Sequence, residues 1–355
     1  MMKSQKINQH MMMPIFIFLA VVCGLLYALH SILLPFVVGI LVAYFLDPLV
    51  NKLTTHKISR NLAVIIILGS LLIILIPLMI ILGGTIVSQI SEFASKIPSY
   101  INKFVQQTTP LLNDLQEKFA TYPSANTEFL QKHTTDMFKL IGKLLNKLIN
   151  EGFAFINVLS LLLISPVVAF YMLSDWPKIT AGFMNLVPLK HQKSVNDIFE
   201  QINKIISGYL RGQFVVCLFL GIFYSCGLLL IGLDLGLLVG FMAGLLSFIP
   251  YVGSISGFLA AIILALTQYG VGAELAEVVV VFVVGQFIEG NFLTPKLVGE
   301  NIGLHPVWVM FAILAGGVLL GFLGMLIAVP VAAIIGVLLK ILIKNYQQSE
   351  LYLGK

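Results

Sequence analysis

Gln286 and Glu289 are polar residues in an otherwise apolar stretch, and their spacing of three puts both on one face of a helix. The carboxyl group of Glu289 could take up and release a proton, or help to bind a monovalent cation. Gln286 and Asn291 could supply neutral oxygens, and Lys296 follows after Pro295. The alternative is that the apolar stretch ends close to Glu289, which is then solvated or paired with Lys296.

A second candidate site is the segment from Ser247 to Ser254, which interrupts a long apolar run with Pro250 and Gly253. Proline removes a helix donor, and glycine permits unusual dihedral angles. Irregular backbone at membrane depth is tolerated only inside protein or along a watery cavity, and broken helices build the sites of secondary transporters. We therefore expect a broken or re-entrant helix on a transport path, with a simple kink as the alternative.

Weaker candidates for the path lie near the ends of apolar runs: Asp47, Arg211 and Gln213. An arginine at headgroup level is more often an anchor than a ligand. Glycines at a spacing of four form another pattern, at Gly232, Gly236, Gly240 and Gly244 and again at Gly317 and Gly321. Such faces allow helix backbones to pack closely in lipid, either as a static contact or as a sliding surface.

The elements that position these residues must cross a membrane. Hydrophobic residues make up 59% of the 355, charged residues only 10%, and the mean hydropathy is +1.00. A soluble domain carries about 25% charged residues. Charged residues are absent from 61–91, 152–174, 212–233, 235–273 and 301–339. About 20 apolar residues cross a bilayer, and continuous apolar runs are typical of helices and not of barrel strands.

The pattern predicts an all-α polytopic membrane protein with about eight spanning helices. Its predicted regions are three N-terminal spans in 1–90, an amphipathic helical insertion at 91–150, a fourth span at 151–174, an amphipathic segment at 175–208, a four-span transport core at 209–343 and a tail at 344–355. The last span is predicted from Pro306 to Ile343. A stripe of apolar residues that includes Phe199 suggests that the segment at 175–208 lies against the membrane face.

Basic residues indicate the orientation, because the loops richest in lysine and arginine fall on one side of an eight-span protein. By the positive-inside rule that side is cytoplasmic, together with both termini, and the insertion at 91–150 is extracytoplasmic. We expect the insertion to pack on the protein's own spans or on a partner subunit, with a lipid-surface role as the alternative. The net charge of +5 reflects this orientation, and we expect no nucleic-acid partner.

Several chemistries find no support in the sequence. The three cysteines and six histidines show no metal-ligand spacing, so we expect no metal and no cofactor. The phosphate-binding loop of ATPases is missing, as are the motifs of membrane proteases and hydrolases. We therefore expect a protein that is not an enzyme and does not hydrolyse ATP through that loop.

An ordered set of motifs resembles the autoinducer-2 exporter family of bacterial transporters. The motifs are Tyr209-Leu210-Arg211-Gly212-Gln213, the break from Phe248 to Gly253, the stretch from Gln286 to Gly299, Gly303-Leu304-His305-Pro306 and the glycines from Gly316 to Gly324 before Val329-Pro330. The resemblance implies an inner-membrane transporter with about eight helices and an extracytoplasmic insertion after the third. It also implies export of autoinducer-2 or sodium(lithium)/proton antiport, and a ring-like homo-oligomer for which a pentamer is one candidate.

The predicted function is secondary transport of a small solute or of a monovalent cation and protons, in contact with membrane lipids. The alternative is a membrane scaffold or accessory subunit that moves nothing and binds a partner protein through its amphipathic insertion.

Overall fold

The computed structural model describes residues 24–25, 28–118, 155–299 and 304–353, and every regular element in these ranges is helical. Most of the first predicted span, between 11 and 29, and the second half of the insertion lie outside the described residues. The helices are α1 (His30–Thr54), α2 (Arg60–Lys118), α3 (Phe155–Asn185), α4 (Gln192–Leu230), α5 (Gly236–Leu246), α6 (Val252–Gln268), α7 (Ala273–Ile288), α8 (Pro306–Gln347) and α9 (Glu350–Leu353).

The described helices confirm the all-helical membrane class. Five of them have stretches long and apolar enough to cross a bilayer, at Ile32–Thr54, Arg60–Thr85, Leu189–Leu230, Ala273–Leu297 and Pro306–Gln347. The helices α5 and α6 are apolar but shorter. The count of eight spans stays a prediction. The chain divides into two compact units, one of residues 1–64, 160–203 and 303–355 and the other of residues 65–159 and 204–302.

In the first unit, one arginine ties the start of α2 to α1 and α3. The Arg60 guanidinium donates to the Asp47 carboxylate and to the side-chain amide oxygen of Asn51, each at 2.8 Å, and to the Leu173 backbone carbonyl at 2.6 Å. The Asn51 amide also donates to Asp47 at 2.7 Å. Asp47 therefore forms an ion pair with the arginine that links the last turns of α1 and the start of α2 to the middle of α3. The buried residues beside it, such as Val50, form part of this unit's core.

The last long helix is a hairpin and not a single span. Gly321 has φ +61° and ψ −139° inside α8, which is a backbone conformation outside any helix. Gly316 lies against the carbonyl of Gly324, and Leu304 touches Gly336, where an added Cβ would lie 3.0 Å from the leucine side chain. In a straight helix residues 304 and 336 would be about 48 Å apart. The apolar stretch from Pro306 to Ile343, predicted as the last span, is therefore interrupted at Gly321, because glycine lets the chain reverse there.

The second unit contains a bundle of α4, α5, α6 and α7. Gly236 contacts Leu228, Gly240 contacts Ser225, and Gly244 lies against the backbone of Gly221, so α5 runs antiparallel to α4. A Cβ at Gly240 or Gly244 would overlap backbone atoms of α4. The two helices therefore approach more closely than side chains would allow. Leu220, Tyr224 and Leu228, on the covered face of α4, are fully buried.

The helices α5 and α6 form a second hairpin, which is closed at its base by side chains that bond the connection after α4. The Gln268 amide donates to the Gly232 carbonyl at 3.0 Å and accepts from the Asp234 backbone amide at 2.8 Å. The Tyr269 hydroxyl donates to the Ile231 carbonyl at 3.0 Å. At 11 residues α5 is about 16 Å long, roughly half the hydrocarbon thickness.

Candidate functional site

The tip of the α5–α6 hairpin is the break predicted around Pro250. The α5 helix ends at Leu246 and α6 begins at Val252. Between them Tyr251 has φ +69°, a left-handed conformation that costs a non-glycine residue free energy. Gly253 lies against the backbone of Ala243 and Ser247 so closely that a Cβ would overlap both. The segment is therefore a tight reversal that only glycine at 253 can complete.

Two residues of α4 bond the carbonyl groups that the break leaves without helical partners. The Gln213 side-chain amide donates to the Ser247 carbonyl at 2.6 Å, and Gln213 is only 4% exposed. The Tyr209 hydroxyl donates to the Phe248 carbonyl at 3.4 Å, and its ring meets the Phe248 ring edge-on. Gln213 was only a secondary sequence candidate, and Tyr209 was none. Their spacing of four on one helix face was the signal that could have paired them.

A second polar group lies between α4 and α7. The Gln286 amide nitrogen lies 3.4 Å from the Tyr224 hydroxyl and donates to the carboxylate of Glu289. Tyr224 is fully buried and stacks on Phe282, with ring centroids 4.5 Å apart. Gly285 lies against the tyrosine ring, where any side chain would collide with it. Sequence reasoning missed Tyr224, because a tyrosine within an apolar run looks like ordinary core.

The helix changes its hydrogen-bond pattern at Glu289. Residues Glu289–Gly299 form a π-helix, a wider turn that is rare and is often found at functional sites. Asn291, within it, is exposed and donates to the Phe287 carbonyl at 2.9 Å. Pro295 and Lys296 lie further along the same element and are exposed. In the part of the chain that the structure describes, Glu289 is half-buried and forms no ion pair with Lys296.

The polar contacts at the hairpin tip and the Tyr224–Gln286–Glu289 group lie on the same helix bundle. Gly227 contacts Val281 and Gly285 contacts Tyr224, so α7 runs antiparallel to α4. Continuing this register puts Glu289 level with about residue 220 of α4, which is roughly 10 Å along the axis from Gln213. The structure thus places Gln286 and Glu289 together, about two helical turns from the hairpin tip.

The remaining sequence candidates lie elsewhere. Arg211 is exposed and donates to the Ser207 carbonyl of its own helix at 2.8 Å. Gly232 has φ +77° in the connection after α4, and Gly317 packs on Met325 inside the α8 hairpin. Among the residues that the structure describes, no three His, Cys, Asp or Glu side chains come together as a metal site would require.

Comparison with known proteins decides the family. A profile with the description "AI-2E family transporter" matches residues 15–344. The chain belongs to the AI-2E transporter family. Relatives cover most of its length: YrrI of Bacillus subtilis (strain 168), named as a transport protein, is 29% identical over 329 residues, which are 88% of this chain and 86% of YrrI. PerM of Escherichia coli (strain K12), named as a permease, is 25% identical over 323 residues, 88% of each chain.

Membership of the AI-2E family confirms the resemblance drawn from the motifs. A second Bacillus subtilis relative, YueF, is also named as a transport protein and is 26% identical over 316 residues, 86% of this chain and 83% of YueF. The family and its apolar helices identify a membrane transporter. The polar residues described above are therefore best interpreted as candidates for a transport path.

Proposed function

We propose that this AI-2E family member is a secondary transporter that couples proton binding at Glu289 to the movement of a small polar solute, such as autoinducer-2. The single observation that carries the proposal is the Tyr224–Gln286–Glu289 group, in which a half-buried carboxyl group is bonded to an exposed amide on the face of α7 that also meets the buried Tyr224. Ionisable groups at membrane depth usually face a cavity or a partner and mark a pathway for protons or substrate.

The hairpin tip supports the same function. Helix ends that stop inside a membrane protein leave backbone groups which can bind polar substrates. The α5 helix is too short to cross the bilayer, so we propose that the α5–α6 hairpin is re-entrant and places residues 247–251 at depth. Gln213 and Tyr209 hold that tip in the state described here. A transport cycle would break and re-form these bonds.

The chemistry of the group favours a hydroxylated or carbonyl-bearing solute over a bare cation. A hydroxyl, an amide and one carboxyl group offer both donors and acceptors, whereas a sodium or lithium ion prefers several oxygens. Exchange of sodium or lithium for protons stays the alternative coupling. The inner-membrane orientation with both termini cytoplasmic and the homo-oligomeric assembly also stay predictions.

Flux measurements in liposomes test the proposal. The purified protein is reconstituted with a pH-sensitive dye inside, and autoinducer-2, sodium and lithium are added outside in separate experiments. We expect autoinducer-2 to change the internal pH faster than in protein-free liposomes. A change of internal pH that sodium or lithium causes and autoinducer-2 does not would instead favour exchange of that cation for protons. Transport of autoinducer-2 that does not depend on a pH gradient would contradict proton coupling.

A further inference from the structure

The connection between α3 and α4 presents a surface that combines exposed apolar side chains with positive charge. We define the basic–apolar tip as residues 178–196, in the first unit. Four large apolar side chains point outward there: Ile179 (45% exposed), Phe183 (53%), Leu186 (83%) and Leu189 (85%). A water-facing turn between two helices normally carries polar residues, so this exposure needs an explanation.

The charge of the tip has one sign. Lys178, Lys190 and Lys193 are exposed, and no Asp or Glu occurs between Lys178 and Asp197. Lys178 pairs with Asp175 at 2.8 Å, so Lys190 and Lys193 supply the positive charge of the tip. His191 lies between the last two lysines. Lysines around apolar side chains are the usual composition of segments that lie in the headgroup layer of a membrane. The surface of a membrane with anionic lipids attracts such segments, and each lysine near that surface raises the affinity of the segment for the membrane about five-fold.

The fold holds the apolar side chains outward. The Gln192 amide donates to the carbonyls of Met184 and Val187, at 3.3 and 3.2 Å, and so closes the turn. On the inner side Phe199 stacks on Trp176, with centroids 6.2 Å apart. The apolar stripe of α4 that was predicted to lie on the membrane therefore packs on α3 at Phe199. The residues left to meet lipid are those of the turn.

We propose that the basic–apolar tip inserts into the headgroup layer of an anionic phospholipid surface and anchors the α3–α4 hairpin there. Asp175 is the first charged residue after the apolar part of α3, and Leu186 lies about 16 Å further along the chain at the rise of a helix. A hairpin that tilts toward the membrane surface therefore brings Leu186 to the headgroups. Charge complementarity selects this occupant, because Lys190 and Lys193 are exposed on a tip that carries no Asp or Glu, which favours an anionic lipid surface. The proposal does not depend on what is transported.

Site-specific fluorescence tests the anchor in the full-length protein. Cys23, Cys217 and Cys226 are replaced by alanine, and bimane is attached at Leu189→Cys or, as the matched control, at Asp197→Cys on the same hairpin. The proteins are reconstituted into phosphatidylcholine with or without phosphatidylglycerol. Quenching is measured with lipids that carry a nitroxide at the headgroup and with aqueous iodide.

We expect the label at 189 to be quenched by the headgroup nitroxide and protected from iodide when phosphatidylglycerol is present. Lys190→Gln together with Lys193→Gln should reverse that pattern, and the label at 197 should stay open to iodide throughout. Equal iodide quenching at 189 in both lipid mixtures would overturn the proposal. So would protection from both quenchers, because the tip would then be covered by protein. Should the cysteine-free protein fail to fold, Leu189→Trp with brominated lipids gives the same readout as a difference from the unsubstituted protein.

Discussion

The side-chain amide of Gln213 donates a hydrogen bond of 2.6 Å to the backbone carbonyl of Ser247, at the point where the α5 helix stops. Ser247 is itself buried, and its hydroxyl bonds the Ala243 carbonyl at 2.8 Å. A buried carbonyl without a partner costs about 1–3 kcal/mol, so this one residue of α4 stabilises the reversal of a neighbouring hairpin.

Gln213→Leu should therefore lower the apparent Tm of the purified protein and impair transport. The leucine fills the space but leaves the Ser247 carbonyl unbonded, which should cost about 1–3 kcal/mol. Thermal unfolding in detergent, followed by loss of the monodisperse chromatographic peak, measures the effect. Arg211→Gln is the matched control, because Arg211 is exposed and, among the described residues, bonds only its own helix. Equal Tm values for the two variants would show that the Gln213 bond does not hold the tip.

Gly244→Ala should separate α4 from α5. The added methyl group overlaps backbone atoms of Gly221, and neither helix can yield locally because both contacts are main chain. Overpacking of this kind costs about 1–3 kcal/mol, which a thermal shift assay detects. Gly69→Ala is the control, since no atom of the described residues beyond its own helix turn lies within 4 Å of a Cβ there. A Gly244→Ala protein as stable as the Gly69→Ala protein would mean that the two helices do not approach as described.

Gly321→Ala should destabilise the α8 hairpin. The φ of +61° and ψ of −139° lie in a region that is essentially restricted to glycine, and an alanine there costs about 1–3 kcal/mol. Gly317→Ala, in the same hairpin, should have a smaller effect because its neighbour is the flexible side chain of Met325. Both are compared by apparent Tm. If α8 were a straight helix, alanine at 321 would instead leave stability unchanged or raise it.

Arg60→Lys should weaken the joint of α1, α2 and α3. A lysine has one amine and cannot reach Asp47, Asn51 and the Leu173 carbonyl together, so a loss of about 1–3 kcal/mol is expected. Lys178→Gln removes an exposed ion pair with Asp175 and should change stability by less than about 1 kcal/mol. The apparent Tm of each variant is measured in the same detergent. A smaller decrease in Tm for Arg60→Lys than for Lys178→Gln would show that Arg60 does not hold α1, α2 and α3 together.

The sequence predicted the helical membrane class and the break at Pro250, because composition and proline are local signals. It could not predict that the chain reverses at Gly321, since a glycine in an apolar run is equally compatible with a continuous helix. Gln286 and Glu289 were paired from their spacing alone. Tyr224 and the Gln213–Ser247 bond were not found, because both depend on which helices become neighbours, and one sequence does not contain that information.

The central claim is that a proton binds and leaves at Glu289, and one comparison tests it most directly. Proton uptake into solute-loaded liposomes is recorded for Glu289→Gln and for Glu277→Gln, the same substitution at an exposed position of α7. We predict that solute-driven proton movement is lost in the first protein and retained in the second, with both equally folded by chromatography. Retained proton movement in Glu289→Gln would show that this carboxyl group is not the coupling site.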